Sequence, residues 1–366
     1  MKILFAIDTL GKGGAERVIT NLANYFIKEN DVSIMTLRNV PTEYELNEKI
    51  SIVNIQQDGK YKNKIIREIK NINKIKHEIE RSSPDIIITF LPAITYRLMI
   101  ANIINKKKVI ISVRNDPKIE YNNIIKKTLM KILYTRANGF IFQTEEAKSF
   151  FSKKIQMKSE IIPNPINESF IEKPFGGERK KEIVSVGRLE KQKNHKMLIK
   201  AFSRISEEYK DYKLIIYGEG NERENLEKLI TDLNLVDKVL LPGKVDNIKE
   251  KIYNASAFIL SSDYEGMPNA LMEAMALGIP VISTNCPCGG PRFLINNNKN
   301  GILVPIKDEE KMKIAIEKLL VDRKFANSIS TNASKISIEL HPKKINKKWE
   351  NFIKERMVKV NDKKVN

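Results

Sequence analysis

The chain has 366 residues, of which 42% are hydrophobic and 30% are charged, and its formal net charge is +19 at pH 7. This composition is typical of a soluble globular protein and excludes a disordered one. The length exceeds one ordinary core, so two domains are expected. The opening stretch MKILFAIDTLGKGG has only a short apolar run before glycine and charge, which predicts a first strand rather than a signal peptide or a membrane span.

Short apolar runs alternate with longer helical patterns along the whole chain. The predicted strands are KILFAI, DVSIMTL, PDIIITF, KVIISV and GFIFQT in the first half, and EIVSVG, YKLIIYG, KVLLPG, AFILSS and IPVIST in the second. Continuous apolar strands separated by helices indicate a parallel sheet that is covered on both faces. The fold class is therefore α/β, with two facing Rossmann-like domains and a cleft between them.

The Pro-rich segment Ile162–Glu182 divides the two series of strands. We expect an N-terminal domain at residues 1–168 and a C-terminal domain at residues 169–342, with a helix at 343–366 that completes the first domain. That helix carries the only tryptophan, Trp349, which we interpret as a packing anchor.

The positive charge has two interpretations. The chain is rich in Lys, Ile and Asn together, a bias that coding composition alone can produce. Alternatively, the charge attracts an anionic partner such as nucleic acid, a phosphorylated substrate or an acidic membrane face. The basic amphipathic stretches Lys60–Arg81 and Asn122–Arg136 fit either the solvated face of a core helix or a membrane-docking helix.

Open parallel sheets bind ligands at the carboxyl ends of their strands, so the loops that follow strands are the candidate sites. The loop Asp8–Arg17 contains Gly11, Gly13 and Gly14 ahead of a helix, which lets the backbone approach an anion. Its spacing is neither the dinucleotide fingerprint nor a P-loop.

The loop Val184–His195 carries Arg188 and Lys193, five residues apart. A guanidinium fork and an ammonium group can clamp a diphosphate. His195 is expected to pack against or cap the next helix.

The stretch Ser261–Val281 contains Glu265 and Glu273 on either side of Pro268. Pro268 suits the first turn of a helix, so Glu265 lies at the helix mouth and Glu273 within the helix. Eight helical residues rise about 12 Å, which is the span between the two sugar rings of a nucleotide sugar. We therefore predict one carboxylate for each ring, with the helix amides facing the phosphates.

In combination these motifs resemble the family-four retaining glycosyltransferases, which have the GT-B fold. The E-x7-E motif is Glu265–Glu273, the Gly-Arg-Leu strand end is GRLEKQK, and the N-terminal loop is GGAER. Similar pieces are YGEG, LPGKV, IPNP and NGILVP, so the resemblance covers nearly the whole chain. It implies sugar transfer from a nucleotide donor with retention at the anomeric carbon. It also implies that the N-terminal domain binds the acceptor and that the C-terminal domain binds the donor.

The resemblance also implies the site residues. Arg188 and Lys193 would hold the donor diphosphate and take up the charge of the leaving nucleotide, so no metal or other cofactor is expected. Glu273 would bind the ribose and Glu265 the transferred sugar. The other implied donor contacts are Gly13, Gly14, Gly218, Val245, Asn269, Ala270 and Leu271.

The sequence departs from the family pattern at two places. Many members have a histidine that touches the donor sugar where Arg114 stands here, followed by Asn115 and Asp116. We therefore expect Arg114 among the catalytic residues and the next two near the sugar or the acceptor. Phe293 stands where relatives often carry glutamate, and we assign it no role.

The pieces GGAER, EGMPNALMEA and CPCGGPR resemble bacterial enzymes that build capsule, lipopolysaccharide or glycoprotein repeat units on a polyprenyl diphosphate. They imply transfer of a hexose or N-acetylhexosamine from a UDP-sugar to a lipid-linked saccharide, or alternatively to a soluble acceptor. Each Lys or Arg near an acidic bilayer contributes about 1 kcal/mol. We therefore expect a cytoplasmic protein that is peripherally attached to the membrane, and salt should weaken that attachment.

Other classes of protein fit the sequence less well. A glycoside hydrolase needs two carboxyls flanking one bond and has no use for Arg188 and Lys193. A nucleic-acid-binding protein would concentrate its aromatic residues, 7% of this chain, among the lysine runs. A dehydrogenase lacks its fingerprint here. Cys286 and Cys288 are too few for a zinc site or a disulfide framework, which suits a reducing cytosol.

Overall fold

The structure is a computed structural model and describes residues 1–11, 13–55 and 63–358. Lys12, the start of the predicted basic stretch at Lys60–Lys62, and the end of the predicted terminal helix at 359–366 lie outside the described residues. The strands are β1 (Lys2–Ile7), β2 (Asp31–Thr36), β3 (Ser51–Asn54), β4 (Ile86–Phe90), β5 (Lys108–Ser112), β6 (Gly139–Phe142), β7 (Ser159–Ile161), β8 (Lys180–Val186), β9 (Lys213–Tyr217), β10 (Val239–Gly243), β11 (Ala255–Leu260), β12 (Val281–Thr284) and β13 (Ile302–Val304).

Helices separate almost all of these strands. They are α1 (Gly14–Phe26), α2 (Lys64–Ser82), α3 (Pro92–Asn105), α4 (Pro117–Glu120), α5 (Ile124–Leu133), α6 (Glu145–Ser149), α7 (Lys153–Gln156), α8 (His195–Ser203), α9 (Arg223–Asp232), α10 (Ile248–Ile252), α11 (Asn269–Ala276), α12 (Gly290–Leu294), α13 (Glu309–Val321), α14 (Arg323–Ser334), α15 (Ile336–Glu339) and α16 (Pro342–Met357). Short 3-10 turns lie at Tyr134–Arg136, Glu168–Phe170 and Lys191–Lys193.

The chain divides into two compact units. Unit 1 contains Met1–Asn164 and the C-terminal segment from Ile345, and unit 2 contains Pro165–Lys344. Within the described residues, unit 1 has a seven-stranded sheet in the order β3-β2-β1-β4-β5-β6-β7, and unit 2 has a six-stranded sheet in the order β10-β9-β8-β11-β12-β13. All strand pairs are parallel. The prediction of two Rossmann-like domains with parallel sheets is confirmed.

Each sheet has a switch point, where the strand order reverses between two central neighbours. In unit 1 it lies between β1 and β4, and in unit 2 between β8 and β11. The central strands β1, β4 and β11 are almost entirely buried, and β8 is buried at residues 183–185, which explains their apolar sequences. Loops that leave neighbouring strands in opposite directions open a crevice at such a point, where α/β proteins bind ligands.

The C-terminal helix α16 packs on unit 1 through Trp349. The indole is fully buried and stacks on Phe90 of β4, with 5.9 Å between ring centroids and an interplanar angle of 16°. The guanidinium carbon of Arg114 lies 5.0 Å from the centroid of the Phe90 ring and 5.3 Å from that of Trp349. The interpretation of Trp349 as a packing anchor is confirmed.

The two basic stretches form the helices α2 and α5. In α2, Ile75 and Ile79 are buried, but Ile65 is 70% exposed and Ile69 is 55% exposed, so only the C-terminal half of the helix faces the core. Of the helices in the described ranges, none has the length and apolar character needed to cross a bilayer.

Replacing Trp349 by alanine should destabilise unit 1, because it leaves a cavity against Phe90 and Arg114. We expect the free energy of unfolding to fall by about 3–5 kcal/mol, measured by urea denaturation followed by circular dichroism. Phe293→Ala is the control, because this ring is 46% exposed and its loss should change stability by less than about 0.5 kcal/mol. Equal effects of the two substitutions would contradict the anchoring role.

Candidate functional site

Two predicted site residues meet at the switch point of unit 2. Lys193 belongs to the loop after β8, and Glu265 belongs to the loop after β11. Lys193 Nζ donates to Glu265 Oε1 at 2.5 Å, and the two side chains are 17% and 8% exposed. The structure therefore brings together the cation predicted for the diphosphate and the carboxylate predicted for the transferred sugar.

Arg188 lies on the same strand end but has a different partner. Its Nη1 donates to Glu190 Oε1 at 2.8 Å, and its side chain is 64% exposed. Exposed ion pairs of this kind contribute about 0–1 kcal/mol. The guanidinium is therefore easily drawn away from Glu190 by a more highly charged anion.

Further hydrogen bonds join the same two loops. The side chain of Gln192 donates to the carbonyl of Tyr264 at 2.9 Å, and the Asn194 amide donates to the Asp263 carboxylate at 2.9 Å. The hydroxyl of Ser261 donates to the Lys193 carbonyl at 2.8 Å. These bonds fix the position of the loop after β8 relative to the loop after β11. The sequence did not predict these hydrogen bonds, because no motif relates Gln, Asn or Asp side chains that lie about 70 residues apart along the chain.

The helix α11 lies where the Pro268 signal predicts it. Pro268 is the N-cap residue, Asn269, Ala270 and Leu271 form the first turn, and Glu273 lies in the second turn with 9% of its surface exposed. The amides of a first helical turn lack partners within the helix and carry the positive end of its dipole. Glu265 stands in the loop ahead of the helix, so the predicted division of the two carboxylates between loop and helix is confirmed.

The loops after β9 and β10 lie at the same edge of the sheet. Gly218 has φ +146°, and its N–H donates to the Gly243 carbonyl at 2.9 Å. A side chain at position 218 would collide with the carbonyl of Gly187, so glycine is required for the close approach of these strand ends. Val245 follows two residues after β10 and is half-buried. Their predicted contacts with a nucleotide stay predictions.

In unit 1, the glycine loop follows β1. Gly13 is the N-cap residue of α1, Gly14 opens that helix, and the hydroxyl of Tyr44 donates to the Gly13 carbonyl at 3.0 Å. The loop after β2 thus supports the glycine loop through Tyr44, a residue that no sequence motif had marked. The predicted contact of Gly13 and Gly14 with the donor stays a prediction.

The residues after β5 are largely buried. Arg114 Nη1 donates to Asn164 Oδ1 at 2.8 Å, and burial lowers the pKa of Arg114 to about 9. This position, against Phe90 and Trp349, favours packing within unit 1, and the predicted contact with a sugar stays a prediction. Asn115 is half-buried, and Asp116 accepts the N–H of Lys118 at 2.9 Å as the cap of α4.

Three carboxylates gather at the carboxyl end of the unit 1 sheet. Burial raises the pKa of Glu120 to about 8, with further contributions from the charges of Asp8 and Asp116. Burial also raises the pKa of Asp8, although this residue accepts the N–H of Ile94 at 2.9 Å. Near neutral pH Glu120 can therefore hold a proton. Sequence reasoning had marked only Asp116 of this group.

Two known protein families match this chain and together span residues 12–336. Residues 12–170 match the family described as Glycosyltransferase Family 4, and residues 167–336 match the family described as Glycosyl transferases group 1. The Anabaena protein Alr3699/HepE, solved in complex with UDP, has a TM-score of 0.81 at 17% identity, covering 97% of this chain and 100% of that one. This likeness shows the GT-B fold and confirms the predicted fold class.

Two curated relatives come from Campylobacter jejuni subsp. jejuni serotype O:2. GalNAc-alpha-(1->4)-GalNAc-alpha-(1->3)-diNAcBac-PP-undecaprenol alpha-1,4-N-acetyl-D-galactosaminyltransferase is 28% identical, covering 97% of this chain and 99% of the relative. N-acetylgalactosamine-N,N'-diacetylbacillosaminyl-diphospho-undecaprenol 4-alpha-N-acetylgalactosaminyltransferase is 30% identical, covering 91% of this chain and 93% of the relative. With these matches, the chain belongs to the family-four glycosyltransferases that its motifs resemble.

Proposed function

We propose that this protein is a retaining glycosyltransferase that moves a hexose or N-acetylhexosamine from a UDP-sugar to a saccharide carried on a polyprenyl diphosphate. The observation that carries the proposal is the group of side chains at the switch point of unit 2. There Lys193 contacts Glu265, Arg188 stands at the same strand end, and α11 begins just beyond Glu265. Cations and helix amides suit a diphosphate, and carboxylates suit sugar hydroxyls.

The proposed reaction breaks the bond between the anomeric carbon and the diphosphate oxygen and forms a bond from that carbon to a hydroxyl oxygen of the acceptor, whose proton passes to the departing diphosphate. Negative charge grows on the departing UDP as this bond breaks, and Arg188 and Lys193 stabilise that charge. Because these residues supply the positive charge themselves, we propose that no metal is needed. Glu273 holds the ribose hydroxyls, and Glu265 holds hydroxyls of the transferred sugar.

The nature of donor and acceptor is supported by relatives. The Anabaena HepE structures contain UDP, and one contains UDP-glucose. The names of both Campylobacter relatives specify diphospho-undecaprenol acceptors and alpha linkages. Since the common UDP-hexoses are alpha-linked to the diphosphate, an alpha product corresponds to retention. We therefore place the protein in bacterial capsule, lipopolysaccharide or glycan repeat-unit assembly, with transfer to a soluble acceptor as the alternative.

A lipid-linked acceptor requires the enzyme to reach a membrane, and unit 1 has a surface suited to this. On α5, Ile124 is 81% exposed and Ile125 is 70% exposed, and Lys126 and Lys127 beside them are also exposed. The helix α3 packs against both α2 and α5, so the exposed isoleucines of α2 belong to the same side of unit 1. Apolar side chains flanked by lysines are typical of a helix that lies in an anionic bilayer surface.

Loss of either proposed donor contact should strongly slow transfer without unfolding the protein. We expect Glu273→Gln and Arg188→Ala each to lower kcat/KM for the donor by about 10²–10³-fold, with an unchanged melting temperature. Arg204→Ala is the matched control, since Arg204 is 46% exposed and pairs with Glu310 at 2.7 Å, much as Arg188 pairs with Glu190. If either site variant transferred sugar at the normal rate, the assignment of the site would be wrong.

The donor, acceptor and stereochemistry can be tested together. The purified protein is incubated with a panel of UDP-sugars and with short saccharides on polyprenyl diphosphate or free in solution, and products are detected by their gain in mass. We expect transfer to the lipid-linked acceptor, an alpha anomeric proton in the product, and no loss of rate with EDTA. A beta product would exclude retention, and loss of activity with EDTA would exclude metal independence.

Membrane binding should depend on the exposed isoleucines of α5. We expect the protein to sediment with vesicles containing phosphatidylglycerol at low salt and to be released at 1 M salt, where charges are screened within about 3 Å. Ile124→Ser with Ile125→Ser should weaken binding at least about tenfold, because burying one isoleucine is worth about 1.5–3 kcal/mol. Ile338→Ser is the control, because Ile338 is 72% exposed on unit 2. Equal binding of all these proteins would contradict the docking surface.

A further inference from the structure

We propose that Ser262 is a positioning residue for the sugar transfer, because it fixes the carboxylate of Glu265 in the orientation that receives the donor sugar. The inference rests on the proposed function of the unit 2 site. Ser262 follows β11 by two residues, and no motif in the sequence had marked it.

The contact itself is short and buried. Ser262 Oγ donates to Glu265 Oε1 at 2.6 Å, and Ser262 is 0% exposed. Lys193 Nζ donates to the same oxygen at 2.5 Å. Both bonds end on Oε1, so the carboxylate is held by one oxygen and offers Oε2 to a ligand. A hydrogen bond from a hydroxyl to a carboxylate is charge-assisted and stronger than one between neutral groups.

The surrounding backbone prevents Ser262 and Glu265 from moving apart. Glu265 donates its N–H to the Pro287 carbonyl at 2.7 Å and accepts the N–H of Cys288 at 2.9 Å. The hydroxyl of Thr284 donates to the Ser262 carbonyl at 2.5 Å. The end of β12 therefore holds Ser262 and the loop after β12 holds Glu265, and the hydroxyl of Ser262 points from this fixed backbone at the carboxylate.

The two hydrogen-bond donors to Oε1, Lys193 and Ser262, have different roles in the proposed reaction. In the proposed reaction Lys193 turns to the diphosphate, and its long side chain has the freedom to do so. The short side chain of Ser262 stays on Oε1 at that moment. Ser262 therefore keeps Glu265 from rotating when its cation leaves, and the sugar meets a carboxylate of constant direction.

A substitution of Ser262 should consequently affect the chemical step more than donor binding. The diphosphate and ribose are bound by Arg188, Lys193 and Glu273, which Ser262 does not contact through its hydroxyl. We expect Ser262→Ala to lower kcat by about 10–100-fold and to change the donor KM by less than about threefold, as for an interaction made mainly in the transition state.

The chain provides a matched control on the same strand. The hydroxyl of Ser256, near the amino end of β11, donates to the Lys180 carbonyl at 2.6 Å. Ser256→Ala removes one hydroxyl and one short hydrogen bond at the opposite end of the strand. We expect kcat to change by less than about twofold in this variant.

The decisive experiment is a double-mutant cycle with Glu265→Gln. If Ser262 acts through Glu265, Ser262→Ala should lower kcat by about 10–100-fold in the wild-type background and by less than about threefold in the Glu265→Gln background. A merely structural role would give the same factor in both backgrounds, and this result would overturn the inference. An unchanged kcat in Ser262→Ala would overturn it as well.

Ser262→Cys keeps the experiment informative if the alanine variant unfolds. Cysteine retains the size of serine and a weak donor, so a folded Ser262→Cys should show a kcat between those of wild type and Glu265→Gln. A kcat equal to that of wild type would count against the inference. Absence of transfer by the wild-type protein would refute the proposed function, and the inference with it. An active wild type with a cycle of equal factors would refute the inference alone.

Discussion

The ion pair between Lys193 and Glu265 is the contact on which the site of unit 2 depends. It bridges the two loops that leave the sheet in opposite directions, and both charges are largely removed from water. Breaking such a pair without replacement typically costs about 3–5 kcal/mol, because one charge is then left buried and uncompensated. In the proposed reaction the donor provides the replacement. Its diphosphate becomes the partner of Lys193, and its sugar hydroxyls become the partners of Glu265. Neither charged group is therefore left without a partner when the ion pair opens.

Arg188 completes this arrangement because it lies under different constraints. Its pair with Glu190 is exposed and therefore weak, whereas the pair of Lys193 with Glu265 is shielded from water. In the proposed reaction the diphosphate therefore meets the exposed guanidinium of Arg188 first, and the buried ammonium of Lys193 turns to it afterwards. Arg188 suits capture, and Lys193 suits stabilisation of charge within the site, where water is scarcer and each interaction is stronger.

The sequence predicted the ten strands that have two sheet neighbours or a long apolar run, and it missed β3, β7 and β13. Among the described strands these are edge strands of three or four residues, too short for a clear pattern. In the site, Glu265, Glu273 and Lys193 could be predicted because each belongs to a motif with fixed spacing. Ser262 and the burial of Arg114 could not, because both depend on contacts with residues far away along the chain. Arg114 illustrates the limit most clearly, since its environment is made by Phe90 and by Trp349 of the terminal helix.

The carboxyl edges of the two sheets carry different groups of charged side chains. At the carboxyl edge of the unit 2 sheet Lys193 is paired with Glu265, whereas at that of the unit 1 sheet the carboxylates of Asp8 and Asp116 act on Glu120. A chain with net charge +19 attracts anions over most of its surface, so a local acidic group needs a separate reason. Burial raises the pKa of Glu120, the charges of Asp8 and Asp116 raise it further, and a proton on Glu120 relieves the repulsion among the three groups. A protonated carboxyl beside two carboxylates can both donate hydrogen bonds to hydroxyl groups and accept hydrogen bonds from them, which is the chemistry that a saccharide offers.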